Sequence, residues 1–259
     1  MKIRTAVIPC AGQAKRMEPY SLILPKPLLP VGDKPIIQYH LDKCKIMGIN
    51  HIILIIGTHP TNEYYFEILK LYLQSHPIED LEIEYIIQKE AKGIGHALSL
   101  VENRVSIPFS MFLGDEIYGN SNNKGFISSF DNNINAVIGL IKCEDKAKVR
   151  RNYTVKFFKN CDLISNLYEK PRDDVISDIL GVGSYIFDKK IFESIEDTPP
   201  SKRNEIEITD SIQMLINKGG KVKGFFLGGD YINITYPDDL KIAFEIIQNS
   251  RNRNNNSIL

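Results

Sequence analysis

Over the first part of the chain, apolar runs with the length of a strand alternate with segments whose apolar residues have helical spacing. Short apolar runs with the length of a strand occur at Thr5–Pro9, His51–Ile56, Leu81–Ile87, Phe109–Leu113 and Ala136–Cys143. Apolar residues at helical spacing occupy segments between them, at Pro35–Met47, Glu63–Leu73 and Gly95–Glu102. Because strands connected by helices run in the same direction, this alternation predicts a mostly parallel sheet with helices on both faces.

The pattern changes in the second half, where two strand-like runs flank a short polar turn. They predict a hairpin of Tyr153–Phe158 with Leu163–Tyr168. Later strands and helices are predicted at Gly183–Phe187, Ile206–Asn217, Lys221–Leu227 and Asp238–Gln248. We expect an α/β fold in one domain over 1–248: a Rossmann-like half at about 1–145, with a mixed sheet, and a smaller α+β half at about 146–248. The polar residues 249–259 are expected to form a flexible tail.

Composition narrows the classes of function. The chain has 259 residues, with 32 Lys and Arg against 32 Asp and Glu, so its formal net charge is zero. A nucleic-acid partner is not expected, because such proteins carry a basic surplus that neutralises phosphates. No apolar run approaches the roughly 18 residues of a membrane-spanning helix, and the first run is too short for a signal peptide. We therefore expect a cytoplasmic protein with no membrane partner.

The cysteines agree with that location. Cys10, Cys44, Cys143 and Cys161 form no CxxC pair, and the five histidines do not cluster with them at zinc-ligand spacing. Free thiols in a reducing compartment are expected.

The segment after the first strand combines small residues with cations. Gly12 lies in the turn after that strand, and Lys15, Arg16 and Lys26 follow on one long loop. A turn of small residues lets backbone amides approach an anion such as phosphate. The spacing is neither that of a P-loop nor GxGxxG. From these residues alone, a phosphate-binding loop and an ordinary solvated basic loop both stay open.

Several blocks of sequence carry a resemblance to a known family. The first two are AVIPCAGQAKRM at 6–17 and LPKPLLPVGDKPIIQY at 24–39. The others are 88–97, 113–115, 168–171, 181–187, 204–210 and 236–240. In this order the blocks resemble the sugar-1-phosphate nucleotidyltransferases, most closely the glucose-1-phosphate uridylyltransferases and thymidylyltransferases.

The resemblance implies a reaction and its participants. A sugar 1-phosphate, expected to be glucose 1-phosphate, attacks a pyrimidine nucleoside triphosphate (UTP or dTTP) and releases pyrophosphate. Mg²⁺ is the implied cofactor, and Arg16, Lys26 and Asp115 are the implied catalytic residues. Such chemistry depends on positioning and on neutralising charge. Relatives often form dimers or tetramers, so a homo-oligomer is also expected.

The resemblance assigns the remaining site residues to three groups. Those expected to bind the nucleotide are Ala11, Gly12, Gln13, Lys15, Gln88 and Gly93. Those expected to bind the sugar phosphate, in the second half, are Glu169, Lys170, Gly183 and Glu205. Asp115 and Asn233 are the expected metal ligands. Without the family context, Asp115 also reads as a turn residue and Glu169-Lys170 as a surface charge pair.

Four positions depart from the family pattern. Ala14 replaces a glycine and is expected to crowd the phosphate loop, and Lys15 replaces a threonine. Asn233 stands where the family commonly has a second metal-binding aspartate, and Thr154 where a glycine is expected beside the sugar. A more positive site with weaker dependence on metal is one hypothesis. The alternative is a catalytically weakened paralogue that binds a nucleotide sugar as a regulatory or partner subunit.

Overall fold

The structure is a computed structural model that describes residues 2–59 and 64–256. Its strands are β1 Thr5–Pro9, β2 Pro30–Val31, β3 Lys34–Pro35, β4 His51–Ile56, β5 Glu82–Ile87, β6 Phe109–Phe112, β7 Glu116–Gly119, β8 Ala136–Lys142, β9 Tyr153–Phe157, β10 Ile164–Glu169, β11 Ile179–Phe187, β12 Val222–Phe226 and β13 Asp230–Asn233. Its α-helices are α1 Ile36–Ile46, α2 Glu67–Ser75, α3 Gly93–Ser99, α4 Asn123–Ser128, α5 Lys146–Arg151, α6 Lys190–Glu196, α7 Ile208–Asn217 and α8 Asp239–Asn256. Short 3₁₀ turns lie at Lys15–Met17, Tyr20–Leu22 and Lys26–Leu28.

One large mixed sheet organises the molecule. Seven of its strands follow the order β10-β9-β11-β6-β1-β4-β5. Outside this order, β8 pairs with β11, and β12 pairs with β8. Strands β1, β4, β5 and β6 are mutually parallel, whereas β11 pairs antiparallel with β6, β8 and β9. Within the described ranges, only β10 and β11 run against the other seven strands of this sheet. The predicted mostly parallel mixed sheet is confirmed.

The sheet is covered on both faces, as predicted. Alternate side chains of a strand point to opposite faces, so Ile8 of β1 belongs to the core under α1 and α2. Its neighbour Val7 belongs to the core under α3, α6 and α7. A fully buried residue of this size contributes about 2 kcal/mol to folding, so the two cores hold the strand ends firmly in register.

A third, smaller core supports the segments that the sequence pattern did not predict. Strands β7 and β13 form a separate antiparallel ribbon, whose Ile117 and Ile232 pack with Ala243 and Ile246 of α8. Helix α8 continues to Asn256, beyond the predicted end at Gln248. Its last turns are polar and carry no apolar stripe, which is why the pattern gave no signal there.

The boundaries of other elements differ from the predictions by a few residues. The helix predicted from Glu63 begins at Glu67 in the structure, and Glu63 itself lies outside the described residues. Residues 257–259 of the predicted tail lie outside them as well. Among the described residues, no helix is long and apolar enough to cross a membrane.

Candidate active site

A cavity of about 570 Å³ opens at the carboxyl ends of β1, β5 and β6. Ligands of open parallel sheets bind at this edge. The residues from the sequence analysis that line it are Ala11, Gly12, Arg16, Gln88, Gly93, Asp115, Glu169, Lys170, Gly183, Glu205 and Asn233. Gln13, Lys15 and Lys26 are not part of the lining, although the Lys26 ammonium group contacts Asp115.

The basic loop that follows β1, residues 11–16, is held in place at both of its ends. The Cys10 amide donates to the Ile55 carbonyl at 2.7 Å, and the side chain of Met17 is fully buried. Between them, Ala14 adopts a left-handed conformation with φ 52°, which costs a residue with a Cβ about 1 kcal/mol. In the following 3₁₀ turn both Lys15 and Arg16 are exposed, and Arg16 lines the cavity whereas Lys15 does not. The sequence departure at Ala14 therefore coincides with a strained backbone position.

Asp115 lines the cavity and follows β6, a central strand of the sheet. Its Oδ2 accepts a hydrogen bond from the Lys26 Nζ at 2.7 Å, and the Lys26 side chain is only 13% exposed. The Ile234 amide donates to the Asp115 carbonyl at 2.8 Å. This contact and the β7–β13 pairing bring Asn233 to the same wall as Asp115. A carboxylate and an amide therefore line the same wall, and the amide oxygen of Asn233 accepts from the Thr235 hydroxyl at 3.1 Å.

The end of the cavity near β5 is built around Gln88. The Gln88 Nε2 donates to the Gly93 carbonyl at 3.1 Å and lies 3.0 Å from the His96 Nδ1. Gly93 has φ 93°, and a Cβ there would lie 2.6 Å from the Ile206 carbonyl oxygen. Burial, and the positive charge of Lys92, lower the pKa of His96, which favours the neutral ring that can accept from Gln88. The Gln88 amide is therefore fixed in orientation.

Charged side chains of both signs line another part of the cavity. Glu169 Oε1 lies 3.8 Å from the Lys170 Nζ, and its Oε2 accepts from the Thr209 hydroxyl at 3.3 Å. Burial raises the pKa of Glu169. Arg203 pairs with Glu207 at 2.6 Å and lies 3.6 Å from Glu205. The result is a polar pocket whose hydrogen-bonding groups suit the hydroxyls and the phosphate of a small ligand.

Sequence reasoning missed several residues that line the cavity. Arg203 directly precedes the block at 204–210, so its position beside a recognised motif was the available signal. Arg151 also lines the cavity, and no carboxylate of the described residues pairs with it. Its helix α5 was not predicted, because six residues, four of them basic, carry too weak an apolar pattern.

Thr154 does not line the cavity, contrary to the expectation that it stands beside a bound sugar. Its hydroxyl is fully buried and hydrogen-bonded to the Ile179 carbonyl at 2.7 Å and the Ser177 hydroxyl at 2.6 Å. Because side chains alternate along β9, the neighbouring Tyr153 lines the cavity instead. Thr154 therefore does not narrow the space available to a ligand.

Glu116 is a further residue of the cavity wall, and the sequence placed it after a strand but gave it no role of its own. It is 2% exposed and follows Asp115 directly. Burial, and the negative charge of Asp115, raise the pKa of the Glu116 carboxyl to about 7, although hydrogen bonds from Tyr118, Tyr231 and the Gly183 amide oppose the shift.

Comparisons with known proteins agree with this geometry. A model of the nucleotidyl transferase family matches residues 5–232. A Bacillus subtilis (strain 168) protein, provisionally assigned as a UTP–glucose-1-phosphate uridylyltransferase, is 29% identical over 272 residues, covering 96% of this chain and 99% of that protein. The bifunctional protein GlmU of Methanocaldococcus jannaschii is 33% identical over 235 residues, covering 91% of this chain and 52% of GlmU. The chain thus spans about half the length of that relative.

A solved structure gives the same picture of the fold. A UDP-glucose pyrophosphorylase complexed with UDP-glucose has a TM-score of 0.79 and 22% sequence identity, covering 95% of this chain and 99% of that one. The family match extends over most of the chain, which confirms the resemblance inferred from the sequence blocks. The chain therefore belongs to the nucleotidyl transferase family and is an enzyme of the sugar-1-phosphate nucleotidyltransferase type.

Proposed function

We propose that this enzyme transfers a uridylyl or thymidylyl group from UTP or dTTP to glucose 1-phosphate. The observation that supports this proposal is the order of the strands, because β6, which precedes Asp115, lies between β1 and β10. The small-residue loop with Arg16 follows β1, and the charged pocket around Lys170 follows β10. A triphosphate and a sugar phosphate bound at these two places would meet at Asp115.

The chemistry asks little covalent work of the protein. A phosphate oxygen of the sugar 1-phosphate forms a bond to the α-phosphorus while the bond from that phosphorus to the bridging oxygen breaks. The electron pair leaves on the pyrophosphate, where Arg16 and Lys26 would neutralise the growing charge. Lys170 would hold the attacking phosphate in line.

Lys26 is already aligned for this role. In the structure its ammonium group is paired with Asp115 at 2.7 Å. A triphosphate would offer it a second set of anionic oxygens, so Lys26 would exchange one partner for another without becoming an unpaired, largely buried charge. The exchange would also release an oxygen of Asp115.

Asp115 and Asn233 fit a magnesium ion. Both offer hard oxygen ligands on the same wall of the cavity, and the described residues hold no group of three or more His, Cys, Asp or Glu that would form a complete metal site. A site of few protein ligands suits Mg²⁺, which keeps waters and takes phosphate oxygens. When bound, the ion would neutralise charge on the phosphates.

Gln88 supports a pyrimidine base. Its amide nitrogen donates to the protein, so its oxygen is available to accept from the imide N–H that uracil and thymine share. The two bases differ by one methyl group, worth about 1–3 kcal/mol in a pocket. We therefore propose that the enzyme accepts both UTP and dTTP and discriminates only moderately between them.

Pyrophosphate release with a panel of triphosphates and sugar 1-phosphates tests the proposal. We expect turnover with UTP or dTTP and glucose 1-phosphate, and at least about tenfold less with purine triphosphates. No turnover with any pair would overturn it. If the protein then bound a nucleotide sugar tightly, the weakened-paralogue alternative would take its place.

A further inference from the structure

Glu116 is a buried carboxylate without a cationic partner. Its side chain accepts two contacts from the Gly183 amide, at 3.0 Å to Oε1 and 2.8 Å to Oε2. The Tyr231 hydroxyl donates to Oε1 at 2.7 Å, and the Tyr118 hydroxyl donates to Oε2. No cation of the described residues lies within ion-pair distance of it. Burying a carboxylate among neutral groups is unfavourable, and these hydrogen bonds offset only part of that cost.

The donors to Glu116 come from separate strands that build the cavity. Gly183 belongs to β11 and lines the cavity. Tyr231 belongs to β13, two residues before Asn233. Glu116 itself begins β7, next to Asp115. One carboxylate thus connects the three backbone segments that carry both expected metal ligands and one wall of the sugar pocket.

A second layer of hydrogen bonds extends this connection to helix α1. The Tyr118 hydroxyl accepts from the Ser184 hydroxyl at 3.1 Å, and the Ser184 oxygen accepts from the Lys43 Nζ at 3.0 Å. Lys43 is 7% exposed, and its ammonium lies 4.0 Å from the Tyr118 ring centroid. The Tyr118 hydroxyl that contacts Glu116 is therefore itself held in place.

We infer that Glu116 is a positioning residue for nucleotidyl transfer. Its carboxylate fixes the separation of Asp115, Asn233 and Gly183, and so the distance between the reacting phosphates and the sugar pocket. A carboxylate does this where an amide of the same shape cannot, because it accepts at both oxygens. This inference rests on the proposed function, in which those three residues act on one pair of substrates.

Glu116→Gln tests the inference, with Tyr231→Phe as a milder second variant. The Glu116→Gln change turns one acceptor into an NH₂ group that faces a hydroxyl or the Gly183 amide, so the segments should move apart. A displacement of these segments by about 1 Å lowers turnover about 100-fold, and we expect this loss in kcat for Glu116→Gln. Calorimetry with UDP-glucose should show a dissociation constant raised at least about tenfold, and Tyr231→Phe should show both effects to a smaller extent.

Thr198→Val is the matched control for a purely structural effect. Thr198 is buried, and its hydroxyl donates to the Ser194 carbonyl at 2.6 Å, beside a helix that does not line the cavity. It should lower the melting temperature while leaving kcat and the UDP-glucose affinity unchanged. If Glu116→Gln does the same, Glu116 is merely structural and the inference is overturned.

The same data separate this inference from the proposed function. If the wild type is active and neither Glu116→Gln nor Tyr231→Phe loses turnover, the positioning role of Glu116 is overturned and the proposed function is not. Wild-type binding of UDP-glucose without turnover would overturn the proposed function, and the dissociation constants of the variants would still decide the role of Glu116. Absence of both turnover and binding in the wild type would overturn both.

Discussion

Asp115 and Glu116 are adjacent carboxylates with opposite surroundings. Asp115 faces the cavity, its side chain is 35% exposed, and it pairs with a cation, Lys26. Glu116 is 2% exposed and is held by a backbone amide and two tyrosine hydroxyls. The first arrangement leaves a charge that substrates can reach, whereas the second uses a charge to join segments of the chain. One peptide bond therefore separates a group suited to chemistry from a group suited to geometry.

Asp115→Asn should have the largest effect and should separate activity from folding. Loss of the carboxylate removes the partner of Lys26 and the charged ligand for a metal, so we expect turnover to fall about 1,000-fold. Pyrophosphate release measures the loss, and circular dichroism should show an unchanged fold. Asp42→Asn is the control, because Asp42 also pairs with a lysine at 2.7 Å but lies away from the cavity. Equal losses in both variants would contradict the role of Asp115.

Lys26→Met should have the next largest effect and act on the same pair from the other side. We expect kcat to fall about 100-fold, because the leaving pyrophosphate loses one neutralising charge. Without its cation, Asp115 should also bind free Mn²⁺ more tightly when no nucleotide is present, as measured by electron paramagnetic resonance. Lys34→Met, which leaves a matched surface carboxylate unpaired, should change neither quantity. An unaltered Mn²⁺ affinity in Lys26→Met would show that Lys26 does not compete for Asp115.

Lys43→Met probes the buried side of the comparison through stability. Burial lowers the pKa of Lys43 from 10.5 to about 8. Between these two values the unfolded chain binds more protons than the folded one, so the wild type gains stability as pH rises from 8 to 10.5. Relative to Lys43→Met, that gain should reach about 3 kcal/mol at the upper end of this range.

Denaturant unfolding at several pH values measures this difference. Titratable groups that both proteins share contribute equally to each curve, so the difference between the curves reports on Lys43. Lys45→Met alters an exposed lysine of the same helix and should show no pH-dependent difference from the wild type. A flat difference for Lys43→Met would mean that Lys43 keeps its ordinary pKa.

Asn233→Asp should have the smallest effect, and it tests the metal site expected beside the exposed carboxylate Asp115. A second carboxylate beside Asp115 adds negative charge where the cation is expected, so the Mg²⁺ concentration at half-maximal rate should fall about tenfold. The measurement is a Mg²⁺ titration of pyrophosphate release. An unchanged Mg²⁺ requirement would contradict a role for Asn233 as a metal ligand.

The sequence predicted the framework because its signals are local. The strand bounds of β1 and β4 match the predictions residue for residue, since both runs are apolar on two faces. Ribbon strands β7 and β13 have four residues each and carry little pattern. They form because α8 covers them, and that contact depends on residues far along the chain from β7.

The site was predictable to a similar limit. Six of the eight motif blocks supply residues that line the cavity, whereas 24–39 and 236–240 supply none, although Lys26 contacts Asp115. The sequence did not predict that Thr154 faces away from the cavity, because a shift of one residue along β9 changes which face of the sheet a side chain is on. Nor did it predict the role of Glu116, whose partners Gly183 and Tyr231 lie 67 and 115 residues further along the chain.

Those long separations carry a consequence for how the chain reaches its native state. A fragment ending near residue 145 contains Lys43 and Glu116 but lacks Gly183, Ser184 and Tyr231. It would have to bury two charged groups with most of their hydrogen-bond partners missing, which is strongly unfavourable. During synthesis the amino-terminal half is therefore expected to remain only partly folded until β11 and β13 have been made. The mature cleft would appear late and all at once.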